Sequence, residues 1–135
     1  MKKTKILVPL DTSERSLHSL KWIKKYFDKN DIEITLMNVR EIIVAEDLII
    51  PDYSGELGKE SDLVLDEASI ELEGYTVEKF FTVGYATDEI LKKAEEGNYD
   101  IIIMTKSTKK GLVRMIGSVT SKVIKSAKIS VIVLP

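Results

Sequence analysis

The sequence predicts a single α/β domain, an open parallel sheet with helices packed on both faces, and three observations carry that prediction. The chain has 135 residues, a length that folds as one unit and removes roughly 68% of the unfolded surface from water. Several apolar runs read as strands, and the stretches between them repeat apolar residues at helical spacing. The two kinds of segment alternate along the whole chain, the order that joins parallel strands through helical crossovers.

The first strand is KILVPL at 5–10, ending at Asp11. Leu17, Leu20, Ile23 and Phe27 then share one face of a helix that starts near 11–13, where Asp11 and Glu14 have the spacing of a capping box. His18 falls off that stripe and is expected in solvent. The second strand, DIEITLMNV at 31–39, and the third, YTVEKFFTV at 75–83, partly alternate polar and apolar residues, as strands nearer an edge do. Between them the irregular stretch 41–57 carries Ile42, Ile43, Leu48, Ile49, Ile50, Pro51 and Tyr53. It reads either as a lid or partner surface or as a loop helix folded over the edge of the core. Val64, Ala68 and Leu72 mark a second helix closed by Gly74. Ile90, Leu91 and Ala94 mark a third, opened by Thr87, Asp88 and Glu89 and closed by Gly97 and Asn98. The continuous run DIIIM at 100–104 suits a strand covered on both faces, as does SVIVL at 130–134. A fourth helix, from Ser118 to about Ala127, follows Gly117 and places Val119, Val123 and Ala127 on one side.

Composition excludes several classes of function. Twenty Lys and Arg against 22 Asp and Glu give a net charge of −2, so no nucleic-acid partner is expected. The absence of cysteine removes disulfides and thiolate chemistry, and a single histidine leaves no metal site to propose. The basic start is followed by an apolar stretch too short for a signal peptide, and no run has the roughly 18 apolar residues of a membrane span. A cytoplasmic location with no membrane association is expected. The turn after the first strand, DTSER at 11–15, is neither a dinucleotide fingerprint nor a P-loop, and it lacks the paired acids of a receiver domain. No catalytic histidine or lysine is paired with a serine.

In sheets of this kind ligands bind beyond the carboxyl ends of the strands. That edge holds Asp11, residues 38–40 and residues 104–106. The segment that follows, 104–122, suits a phosphate: Gly117 and Ser118 open a helix whose first amides lack internal partners, and Lys106, Lys109, Lys110 and Arg114 concentrate positive charge. A plainer reading also stands, in which Gly117 ends a turn, Ser118 caps the helix and the lysines keep a loop soluble.

Taken in order, the pieces resemble the universal stress protein family. Residues 6–13, ILVPLDTS, resemble its opening strand and acidic turn, and 36–39, LMNV, its second strand; 84–90, GYATDEI, resembles the opening of its third helix. Residues 100–104, 117–123 and 129–134 complete the likeness. The resemblance implies the three-layer fold of the adenine nucleotide alpha hydrolase type, with five strands in the order 3-2-1-4-5 over 1–135. It also implies a homodimer paired through the last strand, 129–135. Family members that bind ATP carry, after strand four, Gly, two residues, Gly, nine residues, Gly, then Ser or Thr. Here Thr105 and Thr108 stand at the first two glycines, and Gly117 and Ser118 keep the final pair, with the segment before Gly117 one residue shorter than in that pattern. The resemblance therefore implies a nucleotide site made by Pro9, Asp11, Val39, Met104, Thr105, Lys106, Thr108, Gly117, Ser118 and Val119.

Three functions follow as expectations. One is a dimeric stress-response regulator that binds ATP or AMP, with Mg2+ entering only with the nucleotide. The second is a protein-interaction module for an unknown partner, acting through the dimer edge and 41–57, with the threonines keeping nucleotide out. The third is a slow ATP hydrolase with Asp11 as a metal or water ligand.

Overall fold

The computed structural model describes residues 2–11, 17–41, 56–106 and 117–135. In chain order the elements are β1 (Thr4–Pro9), α1 (His18–Tyr26), β2 (Ile32–Arg40), α2 (Glu56–Glu71), β3 (Thr76–Val83), α3 (Ala86–Glu96), β4 (Ile101–Thr105), α4 (Ser118–Ser126) and β5 (Ser130–Leu134). The strands form one sheet in the order β3-β2-β1-β4-β5, and each neighbouring pair is parallel. The α/β prediction and the strand order both hold.

Side chains of a strand alternate between faces, so a strand covered on both sides feeds two cores. β1 does this most clearly. Ile6, Val8 and Leu10 join Leu20 and Ile23 of α1 and Leu65 and Ala68 of α2 in one apolar cluster. Leu7 joins Ile90 and Ala94 of α3 and Val123 of α4 in the other. β4 divides in the same way, Ile103 toward the first cluster and Ile102 and Met104 toward the second. This is why its sequence reads as an unbroken apolar run.

Two strands depart from the expected pattern of burial. β5, as continuous in sequence as β4, lies at the sheet's edge, and only Leu134 in it is buried. β2 partly alternates in sequence yet lies inside the sheet between β1 and β3, and its polar Thr35 and Asn38 are buried with hydrogen-bond partners. The helix boundaries shift as well. α2 begins at Glu56, so the last two residues of the irregular stretch 41–57 are helical. The rest of that stretch beyond Glu41 lies outside the described residues, as does Glu14, the expected capping-box partner of Asp11. His18 opens α1 and is exposed.

The amino-terminal edge is fastened by polar contacts. The Lys5 amide donates to the Asp100 carboxylate at 2.8 Å, and the Lys5 ammonium donates to the Gly97 carbonyl while sitting 4.7 Å from the centre of the Tyr99 ring. The Tyr99 hydroxyl donates to Thr35 Oγ1. Gly97 is needed there because a Cβ would run into the Tyr99 ring. The left-handed turn after α3 is taken by Asn98, with φ 53°, a conformation asparagine tolerates better than most residues.

Candidate functional site

The carboxyl edge of the sheet is assembled from the ends of β1, β2 and β4 and the start of α4. Pro9 closes β1 half-buried, and Asp11 is exposed two residues on. Val39 lies at the end of β2, half-buried, and packs against the cluster on the α3/α4 side. Met104, 6% exposed, belongs to that cluster, and Val119 from the first turn of α4 packs on it too. Three of the apolar residues singled out from sequence are thus brought to one face of one edge. Thr108 lies outside the described residues, as do Lys109, Lys110 and Arg114.

α4 begins in a way that corrects the plainer sequence reading. Gly117 is the N-cap, with φ −61° and ψ 159°, and Ser118 is the first helical residue rather than the cap. A glycine cap offers no side-chain oxygen to the first-turn amides, so those donors look outward for an acceptor. The first turn also contains no acidic side chain. The start of α3 is different: Asp88 and Glu89 sit in its first turn, and the Ala86 amide donates to Glu41 Oε1 at 3.4 Å. Each anion lies where a helix's positive end favours it. Ser118 is exposed, while Gly117 and Val119 are half-buried.

The threonine at 105 behaves more simply than the glycine pattern suggests. Thr105 is the last residue of β4 and is in register with Leu134. Among the described non-glycine residues only Asn98 has positive φ, so Thr105 holds ordinary strand geometry. The next amide, that of Lys106, donates to the Leu134 carbonyl at 2.9 Å and continues the ladder. Lys106 can therefore offer an anion its ammonium but not its backbone N–H.

On the opposite face of the same edge lies a polar cluster that the sequence did not reveal. Asn38 Nδ2 donates to the Leu10 carbonyl at 2.7 Å, and Ser61 Oγ donates to Asn38 Oδ1 at 2.6 Å. Arg40 Nε donates in turn to Ser61 Oγ at 3.2 Å. Asn38 is 2% exposed and Ser61 fully buried. Asn38 was placed at this edge by its position in the second strand. Ser61 gave no signal, since a serine in an acidic helix reads as a surface residue.

Among the described residues no group of three or more His, Cys, Asp and Glu is placed to hold a metal ion, and no helix is long and apolar enough to cross a membrane.

Comparison with known proteins gives a consistent result. The model of the universal stress protein family matches residues 3–135. Universal stress protein MJ0577 of Methanocaldococcus jannaschii is 31% identical, with 96% of this chain and 93% of that protein covered. The solved structure of MJ0577 superposes with a TM-score of 0.82 at 30% identity over 99% of this chain and 96% of that one. More distant structures share the fold. A family protein of Arabidopsis thaliana with AMP bound has a TM-score of 0.73 at 19% identity, covering 97% of this chain and 90% of its own. The Archaeoglobus fulgidus protein in complex with dAMP has 0.69 at 20% identity, with both chains fully covered.

Proposed function

Since the chain belongs to the universal stress protein family, we propose that it is a homodimeric regulatory protein of the stress response that binds an adenine nucleotide at the carboxyl edge of its sheet. The observation that carries this reading is the meeting of Val39, Met104 and Val119 in one apolar cluster beside a helix start that has neither a side-chain cap nor an acid of its own. Val39 and Met104 offer apolar surface to adenine. Pro9 and Asp11 lie at the tip of β1, where an exposed carboxylate suits ribose hydroxyls. The amides after Gly117, with the Ser118 hydroxyl, suit a phosphate. Thr105, Lys106 and Thr108 complete the proposed site, Lys106 by its ammonium, and Mg2+ would enter with a triphosphate. Nucleotide-bound relatives with this fold support the reading.

The proposed dimer uses β5. Its residues Val131, Ile132 and Val133 are only half-buried, on a strand with a single neighbour. An apolar unpaired edge invites a second strand, and a copy of itself would cover it. A cytoplasmic location remains part of the proposal.

Titration calorimetry of the purified chain with ATP and AMP tests the reading. Binding should release heat, and Ser118→Ala should weaken it by about ten- to a hundredfold, the loss of one hydrogen bond to a charged group. Absence of heat with either nucleotide would remove the proposal. A second reading, a protein-interaction module without nucleotide, is favoured by the bulk of Thr105 and by the Lys106 amide already bonded to Leu134. Mass spectrometry of gently purified protein separates the two, since retained ATP or AMP excludes an empty site.

A further inference from the structure

The structure assigns Asn38 and Ser61 as positioning residues for the turn after β1. They work through a polar relay that runs from Arg40 to the Leu10 carbonyl, on the face of the sheet away from the proposed ligand. This inference rests on the nucleotide reading for its ligand and on the hydrogen bonds alone for its geometry.

The direction of every bond in the relay is fixed by chemistry. A guanidinium only donates, so Ser61 Oγ must accept from Arg40 Nε. A backbone carbonyl only accepts, so the Asn38 nitrogen must face Leu10 and its oxygen must face Ser61. The one hydroxyl proton of Ser61 then has a single destination, Asn38 Oδ1. No group in the three bonds can reverse without breaking its neighbour's bond, so the chain from Arg40 Nε to the Leu10 carbonyl has one consistent arrangement.

What the relay holds is the point where β1 stops being strand. The Leu10 amide donates to the Met37 carbonyl at 2.7 Å, and its own carbonyl receives Asn38. Both the N–H and the C=O of Leu10, in the two peptide units that flank it, are therefore tied to β2, and the chain leaves at Asp11 in a set direction. Pro9 and Asp11 flank this residue, so an error in the Leu10 carbonyl is passed directly to the groups proposed to meet ribose. Side-chain alternation makes the arrangement possible. Val39 faces the ligand side, while Asn38 and Arg40 face α2, which supplies Ser61.

The test uses Ser61→Ala, which removes the hydroxyl that orients the Asn38 amide, and Asn38→Leu, which removes the donor at similar volume. Two readouts are taken on isotope-labelled full-length chain: the Leu10 carbonyl-carbon resonance with the Asp11 amide, and ATP affinity by calorimetry. Ser61→Ala should shift the Leu10 and Asp11 signals, leave Tyr99 unmoved at the far edge, and weaken ATP by about tenfold. Asp66→Asn, on the exposed face of α2, should change neither. Unchanged Leu10 and Asp11 signals in Ser61→Ala overturn the relay, whatever the affinity does. Shifted signals with ATP affinity within twofold of wild type overturn its role toward the ligand. If wild type itself gives no heat, the nucleotide reading and the ligand half of this inference both fail, and the carbonyl shift alone decides whether the relay sets the turn. Should Asn38→Leu not fold, Ser61→Ala carries both readouts.

Discussion

Replacing Tyr99 by Phe removes one oxygen atom from the interior, and the structure sets the size of the effect. Tyr99 is 5% exposed and its hydroxyl donates to Thr35 Oγ1, on a residue itself 4% exposed. In the variant the Thr35 hydroxyl is left buried without this donor, a loss of about 1–3 kcal/mol. Thr35→Val alone strands the phenol at a similar cost. The double variant removes both partners, so its loss should fall short of the sum of the singles by about 1–2 kcal/mol. Urea unfolding of the four proteins measures this, with the slope m unchanged if the folded state keeps its extent. The phenol also gives a pH signature. Burial pushes its pKa above the ordinary 10.0, reinforced by the charges of Glu78 and Glu33 and opposed by the Thr35 contact. The folded state then holds the proton more tightly than the unfolded state. That stability is fully present below pH 10 and disappears as pH rises through the folded pKa. The advantage of wild type over Tyr99→Phe should therefore be constant from pH 7 to 9 and narrow above 10. Additive single variants, or an advantage that does not change up to pH 11, would refute the reasoning.

Gly97→Ala drives a methyl into the Tyr99 ring and should cost about 1–3 kcal/mol in urea, the usual range for overpacking. Lys79→Ala breaks an ion pair to Asp66 between two exposed side chains; the midpoint should move by less than about 0.5 kcal/mol equivalent. Val133→Lys puts a charge on the half-buried edge strand and should turn the proposed dimer into monomer in sedimentation velocity, with the circular dichroism of the fold retained. Thr105→Gly removes a β-branched residue from a paired strand position, so stability should fall by about 1 kcal/mol while ATP affinity rises in calorimetry.

Much of this architecture is legible because β1 and β4 and the helices between strands carry their burial in their pattern. β1 and β4 are apolar at consecutive positions since each feeds two cores, and the helices between show a single stripe since each faces one. The strand edges were less legible. β5 has the composition of an interior strand, and nothing within SVIVL records that one of its sides is unpaired. Likewise, Thr35 and Asn38 make β2 look half-exposed, because sequence displays a polar group without its partner. The partners are Tyr99, 64 residues away, and Leu10 and Ser61, 28 and 23 residues away. The candidate site divides along the same line. Val39, Met104 and Val119 could be placed because they end or begin elements. Ser61 could not, because its role exists only where α2 crosses β2.

The two faces of the carboxyl edge place different demands on a ligand. On the α3/α4 side the surface is apolar at Val39, Met104 and Val119, and the proposed nucleotide would depend there on shape, on the first-turn amides of α4 and on the room left by Thr105. A family glycine at position 105 can matter for backbone freedom or for space. Thr105 sits in strand geometry in register with Leu134, a conformation that suits a β-branched residue and keeps it out of the positive-φ region open to glycine. On the α1/α2 side the edge carries the buried hydrogen bonds from Arg40 through Ser61 and Asn38 to the Leu10 carbonyl, proposed above to fix where β1 releases the chain. Affinity should therefore respond to substitutions on both faces but in different ways. Changes at Thr105 should alter how tightly a nucleotide fits while the β1 turn stays in place. Changes at Ser61 should move the turn, and with it every contact made by Pro9 and Asp11, while the apolar surface is left intact.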